Sequence, residues 1–184
     1  MIRIITISSD LLTEFKDIHG KILPKKREKH FQSYGIMNRS SKYADKDVST
    51  YTTIEPIRKL MIGMLEDYTK DMEQVDSSNY LIEFHQTNCF EYKNKTQSYF
   101  EWHTDDEAPV SFKVYTVIIY LRKDPTVRGG NFEYKIDGIN HVHNVNAGDC
   151  LIFRGDMYHN PQPSWGFGCR DAIVGFIKRL EPEP

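Results

Sequence analysis

A mainly β domain with N-terminal helices (α+β), its strands arranged as a jelly roll or distorted barrel, is the fold class this sequence predicts. Three observations predict it. Short strand-like runs separated by Gly, Pro, Asp and Asn follow one another from Asn79 to about residue 178. One of them, Phe112 to Arg122, is apolar on both faces, as a strand covered from two sides must be. Little helical spacing is found after residue 75.

Taken in order, Ile2 to Ile7 reads as a first strand and is too short for the apolar core of a signal peptide. Asp10 is placed to cap a short helix whose apolar face is Leu11, Leu12, Phe15 and Ile18. Residues 55–74 repeat that pattern, with Pro56 in the first turn and Ile57, Leu60, Met61, Met64, Leu65 and Tyr68 as the stripe. The polar stretch of residues 24–53 is expected to be an irregular connection with a short strand near Tyr34 to Met37, and its section from residue 30 a lid. Beyond Asn79, the alternation of Ile82, Phe84, Gln86, Asn88, Phe90 and Tyr92 with polar neighbours has the period of a strand. Further strands are predicted near 98–104, 112–122, 131–136, 140–145, 149–154 and 169–178.

At 184 residues the chain has the length of one domain, divided into a support region (1–78) and a β core (79–180). A net charge of −2 gives no basic face for a polyanion, so a nucleic-acid partner is not expected. Three cysteines without CxxC spacing argue against a disulfide framework. No apolar run reaches the length of a membrane span. These readings lead to the expectation of a soluble, cytoplasmic protein.

The residues that carry chemistry are His103, Asp105, His159 and Arg170. Positions i and i+2 of a strand point the same way, so His103 and Asp105 can reach one ion together. Asp105-Asp106-Glu107-Ala108-Pro109 ends that strand and places both at a rim. His159 follows the turn Arg154-Gly155-Asp156 and is the preferred third ligand over His141 and His143. Two imidazoles and one carboxylate on one face of an iron ion leave its other positions open, as in non-haem Fe(II) oxygenases. A guanidinium such as Arg170 behind them can clamp a dicarboxylate cosubstrate.

Five separated pieces, in order, resemble the prolyl 4-hydroxylase-like branch of the 2-oxoglutarate/Fe(II)-dependent dioxygenases. They are Phe100-Glu101-Trp102-His103-Thr104-Asp105, Ile119-Tyr120-Leu121 with Gly129-Gly130-Asn131-Phe132, Gly148-Asp149-Cys150-Leu151-Ile152-Phe153, His159, and Gly168-Cys169-Arg170-Asp171-Ala172. The match spans about residues 80–180 and says little about the first third. The resemblance implies a double-stranded β-helix with His103, Asp105 and His159 as iron ligands. It implies Arg170 on the distal carboxylate of 2-oxoglutarate, with Tyr120 and, more weakly, Tyr92 directed at the same cosubstrate. The implied reaction consumes O₂, releases succinate and CO₂ and hydroxylates a peptide, protein or small molecule, with a prolyl residue as one candidate and ascorbate as an auxiliary reductant. Gly129-Gly130 reads as a backbone device rather than a substrate contact.

Three rival readings stand beside this one. An AlkB-type nucleic-acid demethylase carries a second arginine six residues after the first, where this chain has Phe176. A non-catalytic jelly-roll binding module has kept a metal or lost it, and a cupin-type metal enzyme would draw its ligands from His141 and His143. Trp165, lying between His159 and Arg170 in the chain, either overhangs the site or tips a hairpin.

Overall fold

The computed structural model describes residues 2–22, 33–34, 48–70, 80–92, 101–105 and 114–179, with backbone alone at 22, 33–34, 48–53, 80–92, 114 and 179. The elements, in chain order, begin with β1 (Ile2–Thr6), α1 (Ser9–Ile22), β2 (Ser33–Tyr34), α2 (Val48–Thr69) and β3 (Tyr80–Tyr92). They continue with β4 (Val114–Lys123), β5 (Val127–Gly129), β6 (Phe132–Ile136), β7 (Ile139–His143) and β8 (Asp149–Arg154). The last three are β9 (His159–Pro161), β10 (Ser164–Gly166) and β11 (Gly168–Arg179).

Six strands form one antiparallel sheet in the order β1-β8-β4-β11-β3-β2. A three-stranded sheet, β7-β6-β9, lies over it, and β10 pairs with β5. The alternation along β4 explains how both layers are held. Tyr115, Val117, Ile119 and Leu121 join Cys150, Ile152, Ile173 and Ile177 in packing against Phe15, Ile18, Ile57, Met61 and Leu65 of the helices. Ile118 and Tyr120 turn the other way, with Leu151, Phe153, Ala172 and Val174, to meet Phe132 of the small sheet. This is the doubly covered strand that the run of apolar residues requires. Cys150 lies in the helix-side layer, where burial pushes its thiol up to about 12.

Several local expectations shift. Ser8, not Asp10, caps α1: its Oγ accepts from the Leu11 N–H at 3.3 Å and its carbonyl from the Leu12 N–H at 2.9 Å. The second helix starts at Val48, so Pro56 is internal rather than in the first turn. Pro56 removes one helical hydrogen bond, and the buried stripe Ile54, Ile57, Met61, Met64, Leu65 and Tyr68 holds the helix across that gap. The same helix ends at Thr69 rather than residue 74, where the Thr69 hydroxyl donates to the Leu65 carbonyl at 2.8 Å. The expected strand at Tyr34 to Met37 is seen as Ser33–Tyr34, its remainder falling outside the described residues, as do most of the proposed lid and residues 98–100. Among the described residues, no helix is long and apolar enough to cross a membrane.

Ile119 is fully buried between β4 and the helices. Ile119→Ala is expected to lower unfolding stability by about 2 to 5 kcal/mol, measured as a lower urea midpoint with an unchanged slope. An effect below about 1 kcal/mol contradicts the packing described.

Candidate metal centre

Among the described residues 101–105, His103 pairs with β9 through a single antiparallel bridge to His159. Two backbone hydrogen bonds make that bridge, His103 N–H to His159 O at 3.0 Å and His159 N–H to His103 O at 2.9 Å. The Asp105 N–H donates to the Gly155 carbonyl at 2.8 Å, tying the same segment to the turn after β8. Outside the bridge, Trp102 stacks on Tyr158 with centroids 5.4 Å apart, and Lys135 Nζ lies 4.9 Å and 5.1 Å from the two rings.

The bridge brings together three side chains from two distant parts of the chain. The ligand atoms of His103, Asp105 and His159 all lie within 4.8 Å of one another, the grouping of this kind found among the described residues. Asp105 Oδ1 is 3.7 Å from His103 Nε2, and Oδ2 is 3.6 Å from His159 Nε2. Each imidazole has its tautomer set by its own backbone: Nδ1 of His103 lies 2.7 Å from the Glu101 carbonyl and Nδ1 of His159 lies 2.9 Å from the Met157 carbonyl. A carbonyl only accepts, so Nδ1 carries the proton and the Nε2 lone pair is available to a cation. The His159 ring is enclosed by Phe132 and Phe153, with centroids 5.4 Å and 4.9 Å away. Burial pushes its pKa below the usual histidine value, against the Asp105 charge and the Met157 carbonyl, which raise it; the nearby His103 lowers it further.

Arg170 and Tyr120 sit together on the inner face of the large sheet, both buried, with the guanidinium carbon 5.3 Å from the phenol ring centroid. Burial raises the Tyr120 pKa, while the Arg170 charge and a hydrogen bond from Arg170 lower it. The phenol therefore remains protonated at neutral pH. Lys123, paired with Arg170 across the β4–β11 ladder, donates to Asn131 Oδ1 at 3.1 Å; burial and the Arg170 charge lower its pKa.

Other expected residues fall as follows. The Tyr92 backbone pairs with Gly168 at the end of β3, and its side chain lies outside what is described. His141 stacks on Tyr134 with centroids 5.3 Å apart, and His143 Nε2 contacts Asp149 Oδ2 at 2.9 Å, so neither joins the three-residue group. Phe176 packs against the inner core. Trp165 is exposed on β10, whose long-range antiparallel pairing with β5 was not predicted.

Two features of the site escaped the sequence reading. Thr116 donates its hydroxyl to Asp105 Oδ2 at 2.6 Å; its signal was a non-aromatic hydroxyl on a strand otherwise apolar there. Gly130 (φ 67°) leaves room for Arg170, since a Cβ there would lie 3.2 Å from Arg170 Cδ and 3.1 Å from Ser164 Cβ. A neighbouring glycine, Gly129, has the same left-handed φ and a Cβ there would meet the Pro163 carbonyl, which bears out its reading as a backbone device.

The lowered His159 pKa has a stability consequence. Between the folded value and the unfolded 6.5, the unfolded chain binds a proton that the folded chain does not. His159 therefore costs the metal-free protein nothing above the unfolded value, progressively more as pH falls from there toward the folded one, and a constant amount below it. Urea unfolding across about pH 5 to 7.5 is expected to show stability declining toward acid, with a shallower decline in His159→Gln. Equal slopes in the two proteins contradict the burial of a neutral imidazole.

Searches with family models and against curated proteins give no match for this chain. Solved structures do match. An oxidoreductase of the 2OG-Fe(II) oxygenase family from Burkholderia pseudomallei aligns with a TM-score of 0.62 at 14% identity, covering 97% of this chain and 84% of that one. The viral collagen prolyl hydroxylase of Paramecium bursaria Chlorella virus-1, in its 2OG complex, gives 0.55 at 14% identity, covering 97% and 96%. A Trichoplax adhaerens prolyl hydroxylase in complex with a hypoxia inducible factor oxygen degradation domain peptide gives 0.61 at 13% identity, covering 97% and 83%. The likeness is one of fold: this chain is built as the double-stranded β-helix of these proteins.

Proposed function

We propose that this chain is an Fe(II)- and 2-oxoglutarate-dependent dioxygenase that hydroxylates a C–H bond, with succinate and CO₂ as co-products. The observation that carries the reading is the convergence of His103, Asp105 and His159 within 4.8 Å. The donor set fits a ferrous ion. Octahedral bonds of about 2.1 Å place neighbouring ligand atoms about 3 Å apart. The separations of 3.6 Å and 3.7 Å are a little wider, a gap that side-chain torsions close. Two neutral imidazoles and one carboxylate on one face suit non-haem iron.

When bound, iron and its cosubstrate supply the oxidising power that inserts one atom of O₂ into the substrate. The protein's own groups do the rest. His103 and His159 offer Nε2 because Nδ1 is engaged, and Asp105 contributes the negative charge. Arg170 receives the distal carboxylate of 2-oxoglutarate in a buried position, where a charged pair is strengthened. Tyr120, kept protonated, has an O–H to donate to the same carboxylate. Thr116 beside Asp105 and Tyr120 beside Arg170 stand four residues apart on one strand, about 13 Å along it. The Arg170 side chain and a five-carbon diacid together bridge that distance. Ile118, Leu151, Phe153 and Val174 line the inner core around it and exclude water.

A prolyl residue in a peptide is the substrate class we favour. The resemblance of five motif pieces to the prolyl 4-hydroxylase-like branch supports it, as does the likeness in fold to a hydroxylase holding a peptide fragment.

The test is succinate formation from 2-oxoglutarate by the Fe(II)-loaded protein with a panel of proline-containing peptides. Arg170→Met is expected to raise the KM for 2-oxoglutarate about 10- to 100-fold, the loss of charge-assisted hydrogen bonds. His159→Ala is expected to lose iron binding, while His141→Ala retains it. A metal-replete protein that never consumes 2-oxoglutarate contradicts the dioxygenase reading; iron loss in His141→Ala rather than His159→Ala supports the cupin-type one.

A further inference from the structure

We propose that Thr116 is a positioning residue for the metal centre: its hydroxyl holds Oδ2 of Asp105 and so fixes the carboxylate between the two imidazoles. The inference rests on the metal reading above and goes beyond it, since Thr116 belongs to none of the motif pieces.

The three donor side chains face different orientation problems. His103 and His159 each carry a ring N–H, and each is fixed by a carbonyl two residues earlier in the chain, Glu101 O at 2.7 Å and Met157 O at 2.9 Å. Asp105 is an anion and has no proton to offer a carbonyl. Its carboxylate can be oriented only by a donor. Its backbone N–H is already given to Gly155 O, which fixes the main chain but leaves the side-chain torsions open.

Thr116 supplies that donor from the neighbouring layer. It is buried on β4, turned to the inner face with Ile118 and Tyr120, and its Oγ1 lies 2.6 Å from Asp105 Oδ2. That distance is the length of a charge-assisted O–H···O⁻ bond. A β-branched side chain in a strand has few χ1 states, so the hydroxyl is aimed before the ion arrives. With Oδ2 engaged by Thr116 and 3.6 Å from His159 Nε2, Oδ1 faces His103 Nε2 across 3.7 Å. The carboxylate is thereby preset between the two imidazoles.

Co(II) titration of the metal-stripped full-length chain, followed by competition with a chelator, tests this without turnover. Thr116→Val keeps the shape and removes the hydroxyl. It is expected to bind Co(II) about 10- to 100-fold more weakly than wild type, as for removal of other outer partners of metal ligands. Thr116→Ser is expected to stay within about threefold of wild type, because the hydroxyl rather than the methyl is what matters. Urea unfolding of the metal-free Thr116→Val protein reports whether it folds, and Thr116→Ala takes its place if it does not. A hydroxyl-free variant that folds and binds Co(II) as tightly as wild type overturns the proposal. So does a Thr116→Ser protein as weak as the hydroxyl-free one. A wild-type chain that fails to bind Co(II) overturns the metal reading itself, which separates the two claims.

Discussion

Two peptide hydrogen bonds, between the backbones of His103 and His159, close a loop of more than fifty residues and hold two imidazole rings with centroids 4.4 Å apart. Closing so long a loop is entropically costly, and two bonds alone do not offset it. The closure is possible because β9 already lies on β6, with Tyr134 opposite His159, and because Trp102 stacks on Tyr158 from outside. Rings at that separation cannot both be protonated without repulsion. The same contact that assembles the ligand set therefore favours a neutral imidazole at His159, as a metal needs.

The strand β4 is where the demands of folding and chemistry meet. Its odd-numbered side chains belong to the helix-side core and its even-numbered ones to the inner face. Thr116 and Tyr120, on that inner face, touch Asp105 and Arg170 respectively. The register of one strand thus fixes both the metal end and the cosubstrate end of the proposed site. A slip by one residue would turn both into the helix-side core.

Much of this was legible in the residues because periodicity reports burial. The Phe112 to Arg122 run gave away its double coverage, and the helical stripes of Phe15, Ile18, Met61 and Leu65 are buried as their spacing implied. His103, Asp105 and His159 were legible because their side-chain types have few uses together. What was not legible depended on contacts between distant segments. Ser8 rather than Asp10 caps α1 because the helix begins one residue before Asp10, a choice local propensity does not make. The β5–β10 pair is three residues a side, too short for a period to register. Thr116 looks like any strand threonine until Asp105 is placed beside it, and Gly130 reads as a turn residue until Arg170 needs the space.

The central strand of the large sheet is β11, which pairs with β4 on one side and β3 on the other. It is also the last of these strands to be synthesised. A nascent chain lacking residues 168–179 has every other described strand but leaves β3 and β4 with open edges facing each other. Vectorial synthesis therefore cannot complete this sheet progressively from one side. The two halves wait, each sticky along one border, until the middle arrives.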